Sequence, residues 1–339
     1  MGKPLGAAIN ACGWVASEHA KAYLNNPHTT LVGVTSRHRE SAERLVSRLG
    51  LDCRIYPDYE ALLDDPDVDI VSVTTPNFLH ARNAIDAARA GKHICLEKPA
   101  GINEDELTEM AAAVRQAGVR SVMSYVLRWN QLVVDLKSLI ARGALGELFF
   151  CETDYWHGIG EVIRADRWIA RPELAGSAML TGGCHAVDMA RNLCGEITSV
   201  SAYSHNNPEL GFDYDTTTVA CVQFESGAVG RVSSCLEIVA PYHFNIRIMG
   251  TEGTADDNRI WSRILAPEQN GWLEIPCITP NSGDVAHHPF QQEIDHLVEC
   301  ILEERDPVPD IADGIRTSRV CLAIDRSAAA GGAPEHPRY

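Results

Sequence analysis

Over the first 125 residues, short apolar runs alternate with segments whose apolar residues recur at helical spacing. Leu5–Ile9, Thr30–Thr35, a brief Cys53–Tyr56, Ile70–Thr74, His93–Leu96 and Ser121–Ser124 read as six strands. Between them Ser17–Asn26, Glu40–Leu49, Leu79–Ala90 and Glu104–Ala117 carry the helical period. Strand, helix, strand repetition predicts a parallel sheet with right-handed crossovers and both faces covered, a doubly wound nucleotide-binding architecture of the α/β class.

After a helical segment at Gln131–Arg142 the texture changes to longer, β-branched strands: Glu147–Tyr155, Ile197–Tyr203, Thr216–Phe224, Ala228–Leu236 and Phe244–Met249. The turns Glu225-Ser226-Gly227 and Gly250-Thr251-Glu252-Gly253 are short enough for hairpins, so this second sheet should be mostly antiparallel. A helix at Cys184–Leu193 interrupts it, and helices at Gln291–Glu304 and Ile311–Ala329 close the chain. The small-residue tail Ala328–Tyr339 reads as mobile or as an oligomer contact. The change of texture sets the expected domains at 1–125 and 126–339.

Composition narrows the class. A 339-residue chain that is 45% hydrophobic can bury two ordinary cores. A net charge of −17 disfavours nucleic acid and anionic membrane as partners and leaves a small molecule. Eleven cysteines occur singly, with no C-x-x-C, and most, such as Cys95, Cys221, Cys235 and Cys321, sit among apolar neighbours as buried reduced thiols. No secretory stretch or membrane-length apolar run is seen, so a cytoplasmic protein is expected.

The first strand leads into Ala11-Cys12-Gly13-Trp14-Val15-Ala16, with the spacing of the G-x-G-x-x-G/A dinucleotide fingerprint and alanine in its first place. The chemistry needs a tight turn, close backbone approach to a pyrophosphate and free amides at a helix start. Gly13 meets the second need, and Ala11 can make the turn if its φ is negative. The second strand ends in Thr35-Ser36-Arg37-His38-Arg39 rather than in a carboxylate. A small hydroxyl followed by basic groups suits a 2′-phosphate, so NADP is slightly favoured over NAD. The fourth strand ends in Thr74-Thr75-Pro76-Asn77 with His80 one turn on; this segment should lie along the nicotinamide ribose, with Asn77 also able to cap the helix.

The fifth strand, bounded by Gly91 and Pro99, ends in Glu97-Lys98. Ligands of open α/β sheets bind beyond the carboxyl ends of the strands, so both residues should face that crevice. Tyr125, Arg128 and Asn130 follow the sixth strand, and Tyr155 and His157, two apart on an extended segment, share a face. Tyr125, Arg128, Tyr155 and His157 are candidate substrate contacts, and Arg167-Trp168 should contact the cofactor or hold the loop before Thr181.

Together, the fingerprint, Thr75-Pro76-Asn77 with His80, Ala90-Gly91-Lys92-His93 before Glu97-Lys98-Pro99, Gly183-Cys184-His185-Ala186-Val187-Asp188 and the terminal helices from Phe290 resemble the Gfo/Idh/MocA family of glucose-fructose oxidoreductase and inositol dehydrogenase-like enzymes. The resemblance implies an N-terminal Rossmann domain, a C-terminal α/β domain with a large open sheet, a nicotinamide cofactor, a sugar or cyclitol substrate, and a homodimer or homotetramer. By the same resemblance Lys98 matches the catalytic lysine and His185 the catalytic histidine, while Thr181 occupies the catalytic position four residues earlier where the family commonly has aspartate. Asp188, one turn beyond His185 on the same helical face, could substitute in part and touch substrate.

The chemistry of Lys98 stands on its own. Hydride transfer from a CHOH carbon requires a group that takes the hydroxyl proton, and a lysine beside a positively charged nicotinamide is pushed toward its neutral form. Glu97 would position the strand end or the cofactor, and His185 would hydrogen-bond the substrate hydroxyl and share the proton. Three other readings stay open: oxidation coupled to glycoside cleavage with recycled NAD, a nucleotide-binding sensor without catalysis, and a metal site of His185, Asp188, His157 and the His287-His288 pair.

Overall fold

The computed structural model describes residues 3–159, 167–280 and 287–339. Strand β1 (Leu5–Asn10), helix α1 (Ala16–Asn25), β2 (Thr29–Thr35), α2 (Arg39–Leu49), β3 (Arg54–Ile55), α3 (Tyr59–Leu63), β4 (Ile70–Val73), α4 (His80–Arg89), β5 (His93–Leu96), α5 (Glu104–Ala117) and β6 (Ser121–Met123) alternate as the pattern requires. There follow α6 (Gln131–Ala141), β7 (Leu148–Trp156), α7 (Cys184–Cys194), β8 (Ile197–His205), β9 (Thr217–Phe224), β10 (Val229–Cys235) and β11 (His243–Gly250). The short strands β12 (Gly253–Asp256), β13 (Arg259–Ser262) and β14 (Leu273–Glu274) precede α8 (Phe290–Leu302) and α9 (Ile311–Ala329).

The chain divides into two compact units, Met1–Tyr125 with Pro289–Ile315, and Val126–His288 with Arg316–Tyr339. The first break coincides with the change of texture at 125/126. The return of Pro289–Ile315 to the first unit departs from the contiguous 126–339 segment expected from sequence. Its cause is apolar: Phe290, Ile294 and Leu297 bury one face of α8, which packs on α1.

In the first unit six parallel strands take the order β3-β2-β1-β4-β5-β6, the Rossmann order with its switch point between β1 and β4. Strands β4 and β5 are buried along nearly their whole length, which is why they read as unbroken apolar runs. Helix α5 shows how local signals set an element. Asn103 accepts a hydrogen bond from the Glu106 amide, and three acidic residues fill the first turn.

The second unit holds an eight-stranded sheet, order β14-β13-β12-β11-β7-β10-β9-β8, antiparallel except where β10 runs parallel to β7. Helix α7 packs on β7 and β10. The core includes Leu132, Leu136, Met189, Phe244, Ile246 and Ile248. The sequence pattern did not reveal β12 to β14, because two to four residues of mixed polarity carry no readable alternation.

Two expectations are corrected. Cys221 is exposed and Cys235 half-buried, although all eleven cysteines are free and Cys95 and Cys321 are buried. The cause is register: β9 alternates strictly, placing Val219, Cys221 and Gln223 on the outer face. The C-terminal tail is docked on its own unit rather than free. Glu335 exchanges two backbone hydrogen bonds of 2.9 Å with Val200, and the Tyr339 hydroxyl donates to Ile197 O at 2.7 Å. Among the described residues no helix is long and apolar enough to cross a membrane.

Asp325 on α9 is buried, accepts the Ser177 hydroxyl at 2.7 Å, and is pushed up by burial to about 7. A folded-state pKa above the unfolded value means that this group supports folding at low pH and loses that support as pH rises through about 7. Asp325→Asn should therefore gain stability relative to the native chain between pH 5 and pH 8, by up to a few kcal/mol in urea unfolding. An equal effect at both pH values would show that the carboxyl does not titrate in the fold.

Candidate active site

In the first unit the site begins where β1 ends. Ala11 has φ +83°, not the negative value expected of an alanine in this turn. The left-handed region costs a non-glycine residue about 1–2 kcal/mol, and the surrounding bonds show what holds it there. The Ala11 amide donates to Thr35 O at 2.8 Å, and the Thr74 hydroxyl lies 3.1 Å from Asn10 O and 2.8 Å from Ala11 O. Hydrogen bonds of about 1 kcal/mol each suffice to offset the strain.

Beyond that turn the backbone is open. A Cβ added to Gly13 would meet nothing within 4 Å, Trp14 is exposed, and the N-cap of α1, Val15, puts no side chain on the helix's first amides. A backbone that approaches open space and a helix start that keeps its amides uncapped fit a pyrophosphate. The Cys12 thiol points back to Thr35 O at 3.5 Å. At the end of β2, Ser36 is half-buried and Arg37 exposed, while Arg39 is drawn to Glu43 at 2.9 Å.

The Thr75-Pro76-Asn77 segment is held from below by α4. His80 is buried, with Nδ1 2.6 Å from Pro99 O and Nε2 2.7 Å from Thr75 O. Burial draws its pKa down, opposed by those two carbonyl oxygens. His80 therefore ties the loop after β4 to the loop after β5, with its ring inside the fold rather than along a ligand. Asn83 adds a bond of 3.2 Å to the Thr75 hydroxyl. Asn77 is not a cap: it opens a 3-10 turn, Asn77–Leu79, whose N-cap is Pro76, and its carbonyl accepts from the His80 amide.

Glu97 and Lys98 do not face the same way. Glu97 is 7% exposed and turned into the unit, where Oε1 lies 3.2 Å from His19 Nε2 and accepts from the Ser124 hydroxyl at 3.0 Å. Its Oε2 accepts the Lys98 amide at 3.2 Å. Burial works to raise the Glu97 carboxyl, but His19, Lys98 and Ser124 together outweigh it and hold it low. Glu97 thus fits the role of fixing the strand end, not that of touching cofactor. Lys98, half-buried, follows β5 directly, joined to Pro99 by a cis peptide. Tyr125 is 1% exposed, with its amide bonded to Met123 O at 2.6 Å; burial leaves no open side chain for a substrate.

The second unit gathers its own cluster. A π-helical turn, Met179–Gly183, runs straight into α7, so His185 sits in the first turn of that helix. Its ring stacks on Tyr155, centroids 5.7 Å apart at 20°. The Tyr155 hydroxyl is 3.1 Å from His157 Nδ1, as their shared face required. Gly182 makes the stack feasible, since a Cβ there would lie 2.3 Å from Tyr155 Cε1. Thr181 is in the π turn, its hydroxyl donating to Ala175 O at 3.3 Å, so it stabilises the turn.

Asp188 is corrected outright. Its carboxylate takes both arms of Arg128, at 2.8 Å and 2.6 Å, plus the Thr317 hydroxyl at 3.3 Å. A bidentate, buried ion pair consumes both groups. Asp188 and Arg128 therefore hold each other within the second unit.

Tyr242, which sequence reasoning missed, sits edge-on to Tyr155 and His157 at 5.5 Å and 5.2 Å. It is 4% exposed and its hydroxyl has no hydrogen-bond partner among the described residues. A buried hydroxyl without a partner is a costly arrangement that a ligand hydroxyl or water would relieve. The only sequence signal was a tyrosine just before a strand. His288 borders Tyr242 at 5.8 Å. Among the described residues no group of three or more His, Cys, Asp or Glu side chains could hold a metal, and Arg167 and Trp168 open a 3-10 turn, Arg167–Ala170, with Arg167 exposed and Trp168 half-buried.

Comparison with known proteins finds two family matches along the chain. Residues 6–125 fit the model of an oxidoreductase family with an NAD-binding Rossmann fold, and residues 133–256 fit the GFO/IDH/MocA C-terminal domain. The chain is 28% identical to scyllo-inositol 2-dehydrogenase (NAD(+)) of Bacillus subtilis strain 168, over 94% of this chain and 93% of that one. It is 26% identical to D-xylose 1-dehydrogenase (NADP(+)) 2 of Haloferax volcanii, over 94% and 93%. Among solved structures it is similar to levoglucosan dehydrogenase in complex with NADH, with a TM-score of 0.88, 25% identity and 99% of each chain covered. With the β3-β2-β1-β4-β5-β6 sheet and the open eight-stranded sheet both present, the chain belongs to the Gfo/Idh/MocA family of oxidoreductases.

Proposed function

We propose that this protein oxidises a secondary alcohol of a sugar, glycoside or cyclitol, or reduces the matching ketone, exchanging a hydride with NAD(P). The observation that carries the reading is Lys98: a lysine at the carboxyl end of a central parallel strand, its amide fixed by Glu97 and its loop fixed by His80. When bound, the nicotinamide supplies the hydride acceptor. Lys98 takes the hydroxyl proton in oxidation and returns it in reduction.

His185 hydrogen-bonds the substrate hydroxyl and assists that transfer. With threonine at 181 and Asp188 bonded to Arg128, the His185 ring is stacked on Tyr155, itself held by His157. Tyr242 offers its buried hydroxyl to a polyol. Eleven free thiols suit a reducing, cytoplasmic setting.

For the cofactor, Ser36 and Arg37 favour the 2′-phosphate of NADP, and the lack of a carboxylate at the end of β2 supports this. The relatives use either nucleotide by name, NAD(+) in the inositol enzyme and NADP(+) in the xylose enzyme.

Lys98→Ala should lower kcat by at least about a hundredfold while leaving cofactor affinity near native, measured by nicotinamide absorbance on a panel of sugars and cyclitols. Turnover at the native rate in that variant rules out the proton-transfer role. Arg37→Ala should raise KM for NADP by roughly tenfold and leave KM for NAD unchanged. Equal change for both cofactors would remove the 2′-phosphate assignment.

A further inference from the structure

Glu97 belongs to a longer buried chain of polar groups inside the first unit. The Tyr23 hydroxyl is 2.8 Å from Ser72 Oγ, which is 3.0 Å from His19 Nδ1. On its other side His19 reaches Glu97, and Ser124 then bridges Glu97 to Glu293 on α8, 3.1 Å from Glu293 Oε2. The Cys95 thiol donates to Glu293 Oε1 at 3.3 Å. Glu293 is 0% exposed, and nothing in the proposed reaction uses it.

Proton counting constrains this chain. Ser124 has one hydroxyl proton and two carboxyl oxygens within reach. If it donates to Glu97, its contact with Glu293 is a hydrogen bond only when Glu293 carries a proton and donates it to Ser124 Oγ. Glu97 is the better anion of the two, because it receives the Lys98 amide and faces His19, whereas Glu293 receives only a weak thiol donor.

We propose that Glu293 is a positioning residue for Lys98: it holds the one proton shared by the two buried carboxyls and, through Ser124, keeps Glu97 ionised and seated on the Lys98 amide. This rests on the reading of Lys98 as the proton-transfer group. The groups facing Glu293 are Cys95 and Glu97 from β5 and its end, His19 from α1 and Ser124 from the end of β6; Tyr23 on α1 and Ser72 on β4 reach it only through His19. On its own helix, the Phe290 ring covers His19 at 5.6 Å. Burial pushes the Glu293 carboxyl up to about 7, with His19 pulling the other way and the Glu97 charge adding to the rise. Below that pH the relay is intact. Above it a second buried anion appears, Ser124 can serve only one of the two, and the support under Lys98 loosens.

The test combines infrared difference spectroscopy with steady-state kinetics on the full chain. The native protein should show a protonated-carboxyl band that titrates away near neutral pH, with kcat declining over the same range. In Glu293→Gln, whose amide mimics the neutral acid, the band should vanish and the alkaline decline of kcat should disappear, with KM for cofactor within about twofold of native. Glu293→Ala should lose roughly tenfold in kcat, the scale expected when an outer-shell hydrogen bond is removed. A band that survives Glu293→Gln, or an unshifted kcat profile in that variant, overturns the proposal. Failure of the underlying reading is seen separately, as native turnover in Lys98→Ala.

Discussion

A carboxylate taken out of water at the end of a strand must be answered on every side, and Glu97 sets that requirement for the first unit. Placing an ionised group inside a fold costs several kcal/mol unless charges and hydrogen bonds compensate it. Here the compensation comes from three directions: His19 on α1, Ser124 after β6 and the next amide in the chain, with Glu293 lying beyond Ser124. His19, Ser124 and Glu293 are far from Glu97 in sequence. The strand order and the return of α8 to the first unit are what bring them to one point, so the surroundings of Glu97 include a helix that the chain adds nearly two hundred residues later.

The second unit meets a different constraint by packing. A π-helical turn widens the entry to α7, two glycines remove side chains from it, and an aromatic ring moves in close enough to stack on His185. Orientation of an imidazole by a ring is weaker than by a carboxylate, and worth about 0.5–1.5 kcal/mol beyond area burial. The hydrogen bond between Tyr155 and His157 stiffens that arrangement. Asp188 shows why proximity along a helix is not enough: it lies one turn from His185, yet its negative charge is already matched by a guanidinium.

Much of the fold was legible because burial on both faces of a parallel sheet leaves contiguous apolar runs; β5 and α5 fall on the residues the pattern picked out. Single positions were harder. Ala11 obeys its bonds to Thr35 and to the Thr74 hydroxyl rather than its own preference, and no local rule reports that. Glu97 and Lys98 are adjacent and similar in polarity, yet Glu97 faces inward, where His19, 78 residues away in sequence, lies 3.2 Å from its carboxyl. Tyr242 and Glu293 were invisible for the same reason. Their meaning lies in neighbours that only the folded chain supplies, whereas the shared face of Tyr155 and His157 was legible because a strand's two-residue period is itself local.

The docked tail has a consequence for how the eight-stranded sheet ends. By pairing Glu335 with Val200 and hanging Tyr339 and His336 on the carbonyls of Ile197 and Thr198, the last residues occupy hydrogen-bonding groups that β8 would otherwise present to another chain. At the opposite end β14 is only two residues long. With the first half of one rim covered and the other rim only two residues long, the sheet offers little free edge on which another strand could pair.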